Sequence, residues 1–147
     1  MDGGRTIEDL KTVYVFVWGL ASAGAMVLGS IGPWLKVRGL DTIDGTDNGR
    51  DGWVVIAAAA VGAVAFLLST RARPWLVVAA LAAGVGLATT IYDRVDLEGT
   101  AGGIDIGRFV DAVGGIYVAM LGSASLAAAA LTGWIVSGAS GETATPA

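Results

Sequence analysis

The chain has no cysteine and no histidine. Without cysteine there is no disulfide framework, no thiolate nucleophile and no soft-metal cluster. Without histidine the commonest general base and the commonest imidazole metal ligand are also missing. Charge is scarce: 15% of the 147 residues are Asp, Glu, Lys or Arg, and lysine occurs only at Lys11 and Lys36. A net charge of -4 and the lack of a basic stripe argue against a nucleic-acid partner. No G-x-S-x-G, H-E-x-x-H or phosphate-loop pattern is present, and Gly102-Gly103 is too short a signal for phosphate binding. These absences leave no catalytic residue and no cofactor to nominate, and they point to a non-enzymatic protein.

What is abundant is apolar surface. Hydrophobic residues make up 54% of the chain and mean hydropathy is +0.69, too apolar for an ordinary soluble domain of this length. The apolar residues fall into four runs, 12–31, 53–70, 75–91 and 113–136. About 20 residues at a rise of about 1.5 Å each cross a bilayer core, so each run is a candidate span. Ala21-Ser22-Ala23 fits a signal-peptide cleavage site, but the leading segment is acid-rich (Asp2, Glu8, Asp9) and apolar residues continue to Ile31. A retained span is the better reading. Residues 1–136 are expected to form a single four-span membrane domain, and 137–147 a flexible polar tail.

Two longer polar segments, 32–52 and 92–112, separate the runs. In the first, Trp34, Lys36 and Arg38 alternate with Leu35 and Val37, which predicts a short strand. Asp44-Gly45, Asn48-Gly49 and Asp51-Gly52 are turn signals. In the second, Tyr92 to Glu98 and Ile104 to Ile106 read as strands. Pairing between the two segments would bury Leu35, Val37, Val95, Leu97, Ile104 and Ile106, and is more stable than isolated hairpins. Arg71-Ala72-Arg73-Pro74 is a tight connector that predicts an antiparallel helical hairpin. Its paired arginines favour the cytoplasm, which puts both termini there and the two long loops outside. The expected fold is an all-α integral membrane protein of the cell membrane. It is an antiparallel four-transmembrane-helix bundle with a small extracytoplasmic β-cap, formed by the loop between spans one and two and that between three and four.

Three groups of residues are candidates for a role. Trp34, Trp53, Trp75 and Tyr92 stand at span ends, where aromatic rings suit the water–lipid boundary. Gly115, Ala119, Ser123 and Ala127 form a small-residue ladder on the fourth span, a helix-packing face that serves either the bundle or another membrane protein. Asp41, Asp44, Asp47, Asn48 and Asp51 are weak metal candidates. An EF-hand count from Asp44 places Gly49 correctly but puts Val55 where a bidentate Glu is required. Turns whose Asp and Asn side chains bond the local backbone account for the same residues. No charged residue interrupts any run, which weighs against a proton-coupled transporter.

Gly32-Pro33-Trp34, Asp51-Gly52-Trp53 and Gly114-Gly115-Ile116-Tyr117 give the chain its likeness to a known group. Over about residues 12–136 it resembles the uncharacterised small four-span membrane proteins of actinobacteria, a resemblance that implies no activity. The plan is also similar, by architecture alone, to claudin-like tetraspan proteins. Of their W-GLW-C-C signature only Trp34 and Gly39-Leu40 have counterparts here. The expected function is that of an accessory, scaffold or interaction subunit, acting through the external cap or a small-residue helix face. Membrane lipid and another membrane protein, or further copies of the chain, are the expected partners. The alternative is a small-solute or lipid transport component or an oligomeric channel.

Overall fold

Runs of Ala, Leu, Val and Gly with no internal proline are too long for strands and form helices. In the computed structural model these are α1 (Gly3–Ile31), α2 (Gly52–Ser69), α3 (Trp75–Asp96) and α4 (Gly114–Ala139). The structure describes residues 3–37, 42–47, 51–96, 100–101, 104–105 and 110–139, with side-chain surroundings for 10–36, 42–47, 51–96 and 113–138. Each of the four helices contains 18 to 25 residues long and apolar enough to cross a membrane.

The helices alternate in direction and form a ring. Each packs on the next in sequence, and α1 closes the ring against α4. The α1–α4 contact is the tightest because small residues let the backbones meet. A Cβ at Gly29 would stand 2.8 Å from Cα of Ala119, and one at Gly115 would stand 2.9 Å from the Gly29 carbonyl oxygen. Polar groups fasten the same pair. Trp18 Nε1 donates to Ser125 Oγ at 2.8 Å, and the Ser22 and Ser125 hydroxyls lie 2.8 Å apart. The core runs through the ring, from Val15, Phe66 and Leu76 at the connector end, past Met26 and Leu126, to Val55, Ile116 and Trp34 at the other.

That other end carries the strands. β1 (Pro33–Val37) and β2 (Thr42–Asp44) follow α1, while β3 (Thr100–Ala101), β4 (Ile104–Asp105) and β5 (Val110–Ala112) lie between α3 and α4. One antiparallel sheet has the order β2-β1-β5, so it joins the two long interhelix segments. Lys36 is opposite Thr42 on one side and Asp111 on the other. β3 and β4 form a separate two-stranded hairpin.

The expected strand from Tyr92 to Glu98 is corrected by the structure, because α3 continues through Asp96. The reason is the inward stripe. Ala79, Ala82, Ala83, Gly86, Thr90 and Asp93 are all buried, which is helical spacing, whereas Ile91 and Val95 face outward. Val95 therefore belongs to no cap core. Leu97, Glu98 and Ile106 lie outside the described residues, as do the side chains of Val37 and Ile104. β1 takes its cross-loop partner from β5 instead.

Candidate functional site

The end of α1 must turn sharply into the sheet, and Trp34 is built into that turn. Its register is irregular: Pro33 pairs with Asp44 and Leu35 with Ile43, so Trp34 is the extra residue of a bulge. Simple alternation would send Trp34 and Leu35 to opposite faces of the strand. With the bulge, both are buried and Lys36 is exposed. Trp34 is 1% exposed, and its indole Nε1 donates to the Gly29 carbonyl at 2.8 Å. That carbonyl belongs to the last turn of α1, where carbonyls lack helical partners. The ring lies against Gly45, where no side chain would fit.

The rest of the first interhelix segment is held by backbone bonds. Gly45 N–H donates to Gly32 O at 3.2 Å, and Gly52 N–H donates to Gly45 O at 3.0 Å. From the second segment, Val113 N–H donates to Trp34 O at 2.9 Å. Trp34 thus touches the end of α1, the turn before α2 and the start of α4. The sheet rests on the helices through this one side chain and its neighbours, Leu35 and Ser30, both buried.

The expectation that Trp34 anchors a membrane boundary is therefore corrected, since its indole lies inside the protein. The other three aromatic candidates are on the outer surface. Trp53 is 63% and Tyr92 67% exposed at the cap end, and Trp75 is 38% exposed at the start of α3. In the small-residue ladder, Gly115, Ala119 and Ser123 are buried and Ala127 is half-buried. Gly115 and Ala119 meet α1, and Ser123 meets Gly86 of α3, so this face is filled from within the chain.

Among the described residues, the acidic candidates Asp44, Asp47 and Asp51 are not gathered into a metal-holding group. Asp44 is half-buried at the end of β2, and Asp47 is exposed in the turn that follows, its N–H bonded to Asp44 O at 3.1 Å. Asp51 precedes α2, and its carbonyl accepts from Val54 N–H at 2.9 Å. Asp41 and Asn48 lie outside the described residues. Among the described residues no group of three His, Cys, Asp or Glu is placed to hold a metal ion.

Sequence reasoning missed three features. Asp93, which falls inside the expected Tyr92–Glu98 strand, is 6% exposed at the cap end of α3. Its spacing of three from Thr90 and seven from Gly86 was the available signal. At the far end, Arg73 reaches from the connector to α4. Its Nη2 donates to the Trp134 carbonyl at 2.7 Å, and its guanidinium lies 4.1 Å from the Trp134 ring centroid. A cleft opens beside it among all four helices, lined by Phe16, Phe66, Leu76 and Val136.

The class these features define is a bundle of four helices, each able to span a membrane, closed at one end by a sheet from both long interhelix segments. No protein family, curated protein or solved structure matches the chain.

Proposed function

We propose that the chain is a non-enzymatic integral protein of the cell membrane, an interaction subunit whose recognition surface is the strand cap. In this reading the cap is outside, and both termini and the Arg71–Pro74 connector are cytoplasmic, as the paired arginines favour. The supporting observation is the seating of the cap. Strands from two segments far apart in sequence form one sheet, and the buried Trp34 ties that sheet to the end of α1, to the turn at Gly45 and to Val113 just before α4. Binding surfaces carried on short connecting segments gain precision when a rigid scaffold holds them.

Photo-crosslinking in native membranes tests the reading. Probes at Lys36 and Asp47, both exposed on the cap, are expected to capture the same membrane or surface protein, and Trp34→Ala should abolish capture. If neither position captures protein while the purified chain carries a solute across vesicle membranes, the transport alternative replaces this one. Orientation has its own test. The chain lacks cysteine, so single cysteines at Thr46, Ala72 and Thr100 can be labelled from outside intact cells. Labelling at Thr46 and Thr100 but not Ala72 is expected, and the reverse inverts the topology.

A further inference from the structure

Among the described residues, the end of the bundle opposite the cap does not close. Between the early turns of α1, the last turns of α2 and α4 and the first turn of α3 lies a cleft of about 280 Å³. Val15, Phe66 and Leu76 form its buried floor, and Phe16 and Val136 its walls. Val13 lines it as well and is largely exposed, so the cleft opens sideways onto the apolar outer surface of α1.

Of the four hydroxyls that line it, those of Ser69, Thr70 and Ser137 are bonded back to their own helices. Ser69 donates to Phe66 O at 2.7 Å, Thr70 to Leu67 O at 2.8 Å and Ser137 to Gly133 O at 2.8 Å. A hydroxyl bonded back in this way needs no partner inside the cleft, so hydrocarbon beside it leaves no donor unmet. The volume falls just below the usual range of about 300–1,000 Å³ for compact drug-sized ligands. A slender apolar chain entering from the side suits it better.

Charge near the cleft narrows the occupant. In sequence Lys11 precedes Thr12 and Arg71 follows Thr70, both cleft-lining residues, and both cations are exposed. Among the described side chains the acids Asp44, Asp47, Asp51, Asp93 and Asp96 share the cap end with Lys36 and Arg94, while Lys11, Arg71 and Arg73 sit at this end with no acid among them. Glu8 and Asp9 precede Lys11 on α1 by three and two residues, within one turn of it, and the connector itself carries no acid. Arg73 is engaged with Trp134, whereas Arg71 and Lys11 are both exposed.

We propose that this cleft binds one acyl chain of an anionic glycerophospholipid, with the phosphate drawn to Arg71 and Lys11. The assignment rests on the membrane reading above and adds to it a defined lipid site on the connector side. The test uses the full chain in phosphatidylcholine vesicles that contain phosphatidylglycerol with a photoreactive diazirine in one acyl chain. Adducts are mapped by mass spectrometry. They should concentrate on residues 12–16, 66–70 and 133–137. Ser137→Phe, which fills the cleft from its exposed rim, should reduce those adducts several-fold and spare those on the outward faces around Leu81 and Leu121. Unlabelled phosphatidylglycerol should compete better than phosphatidylcholine, and Lys11→Gln with Arg71→Gln should remove that preference. Adducts spread evenly over the outer faces, unchanged by Ser137→Phe, would overturn the site. Equal competition by the two lipids would overturn the headgroup assignment. A lack of adducts on every helix face would overturn the membrane reading itself, and the cleft assignment with it.

Discussion

Trp34 shows how much a single residue can hold in an Ala- and Gly-rich chain. It is among the largest fully buried side chains, and its indole N–H satisfies a carbonyl at the end of α1. Trp34→Ala should lower stability by about 3–5 kcal/mol, the usual cost of emptying so large a site. Trp34→Phe keeps most of the volume and leaves the Gly29 carbonyl without its donor, so about 1–3 kcal/mol is expected. Thermal unfolding in detergent, followed by circular dichroism, reads both; a Trp34→Phe variant as stable as the parent would mean that the hydrogen bond adds nothing beyond volume. Gly29 makes the complementary case. A methyl group there would meet the backbone of Ala119, so Gly29→Ala should cost about 1–3 kcal/mol by forcing α1 and α4 apart. Gly24 lies on the same helix with open space around it. Gly24→Ala should be neutral or stabilise by up to about 1 kcal/mol through helix propensity. The opposite order in the same unfolding assay would refute the close approach of the two helices.

At the scale of elements, the third helix separates two readings of one stretch. Ile91 and Val95 alternate loosely with polar residues, which favours a strand, while Thr90 and Asp93 continue a buried helical stripe, which favours a helix. Helix is the outcome in the structure, and Val95→Pro tests it. Val95 lies inside the expected strand and faces outward, so the substitution acts on the backbone alone. Within a helix it removes a hydrogen bond and clashes with the preceding turn, at about 3 kcal/mol. Unchanged stability and helicity would restore the strand. The four helices were legible in the sequence because their apolar runs end abruptly at Pro33, Arg71 and the Gly- and Asp-rich segments. The pairing of the two long segments was legible too, but its second partner was not. β5 is only three residues long, and nothing in Val110-Asp111-Ala112 distinguishes it from the start of the next helix. Trp34 was misplaced because a bulge, unlike a pleat, leaves no period in the sequence. The connector-end cleft was invisible for a related reason, since its lining comes from all four helices at positions that share no pattern.

For the molecule as a whole, the question is whether the two long interhelix segments act as one body. The helix ring alone would permit them to move separately, because each is anchored only at its own helix ends. The sheet order β2-β1-β5 joins them through β1, which has Lys36 directly opposite Asp111. Residues facing each other on antiparallel strands have Cα separations of about 4.5–5.5 Å, within the range that a disulfide bridges. The chain contains no other cysteine, so Lys36→Cys with Asp111→Cys leaves one possible intramolecular pair. Mild oxidation is expected to join the two positions within one molecule, detected as a mobility shift under denaturing conditions that reductant reverses. Because the bond closes a long loop, it should raise stability by about 2–4 kcal/mol. Lys36→Cys paired with a cysteine at Thr46, which has no place in the register, should form far less of the bond under the same oxidant. If both pairs oxidise alike, the segments are loose and collide at random. If only the Lys36–Asp111 pair does, the cap is one rigid piece, and any surface it presents comes from both halves of the chain.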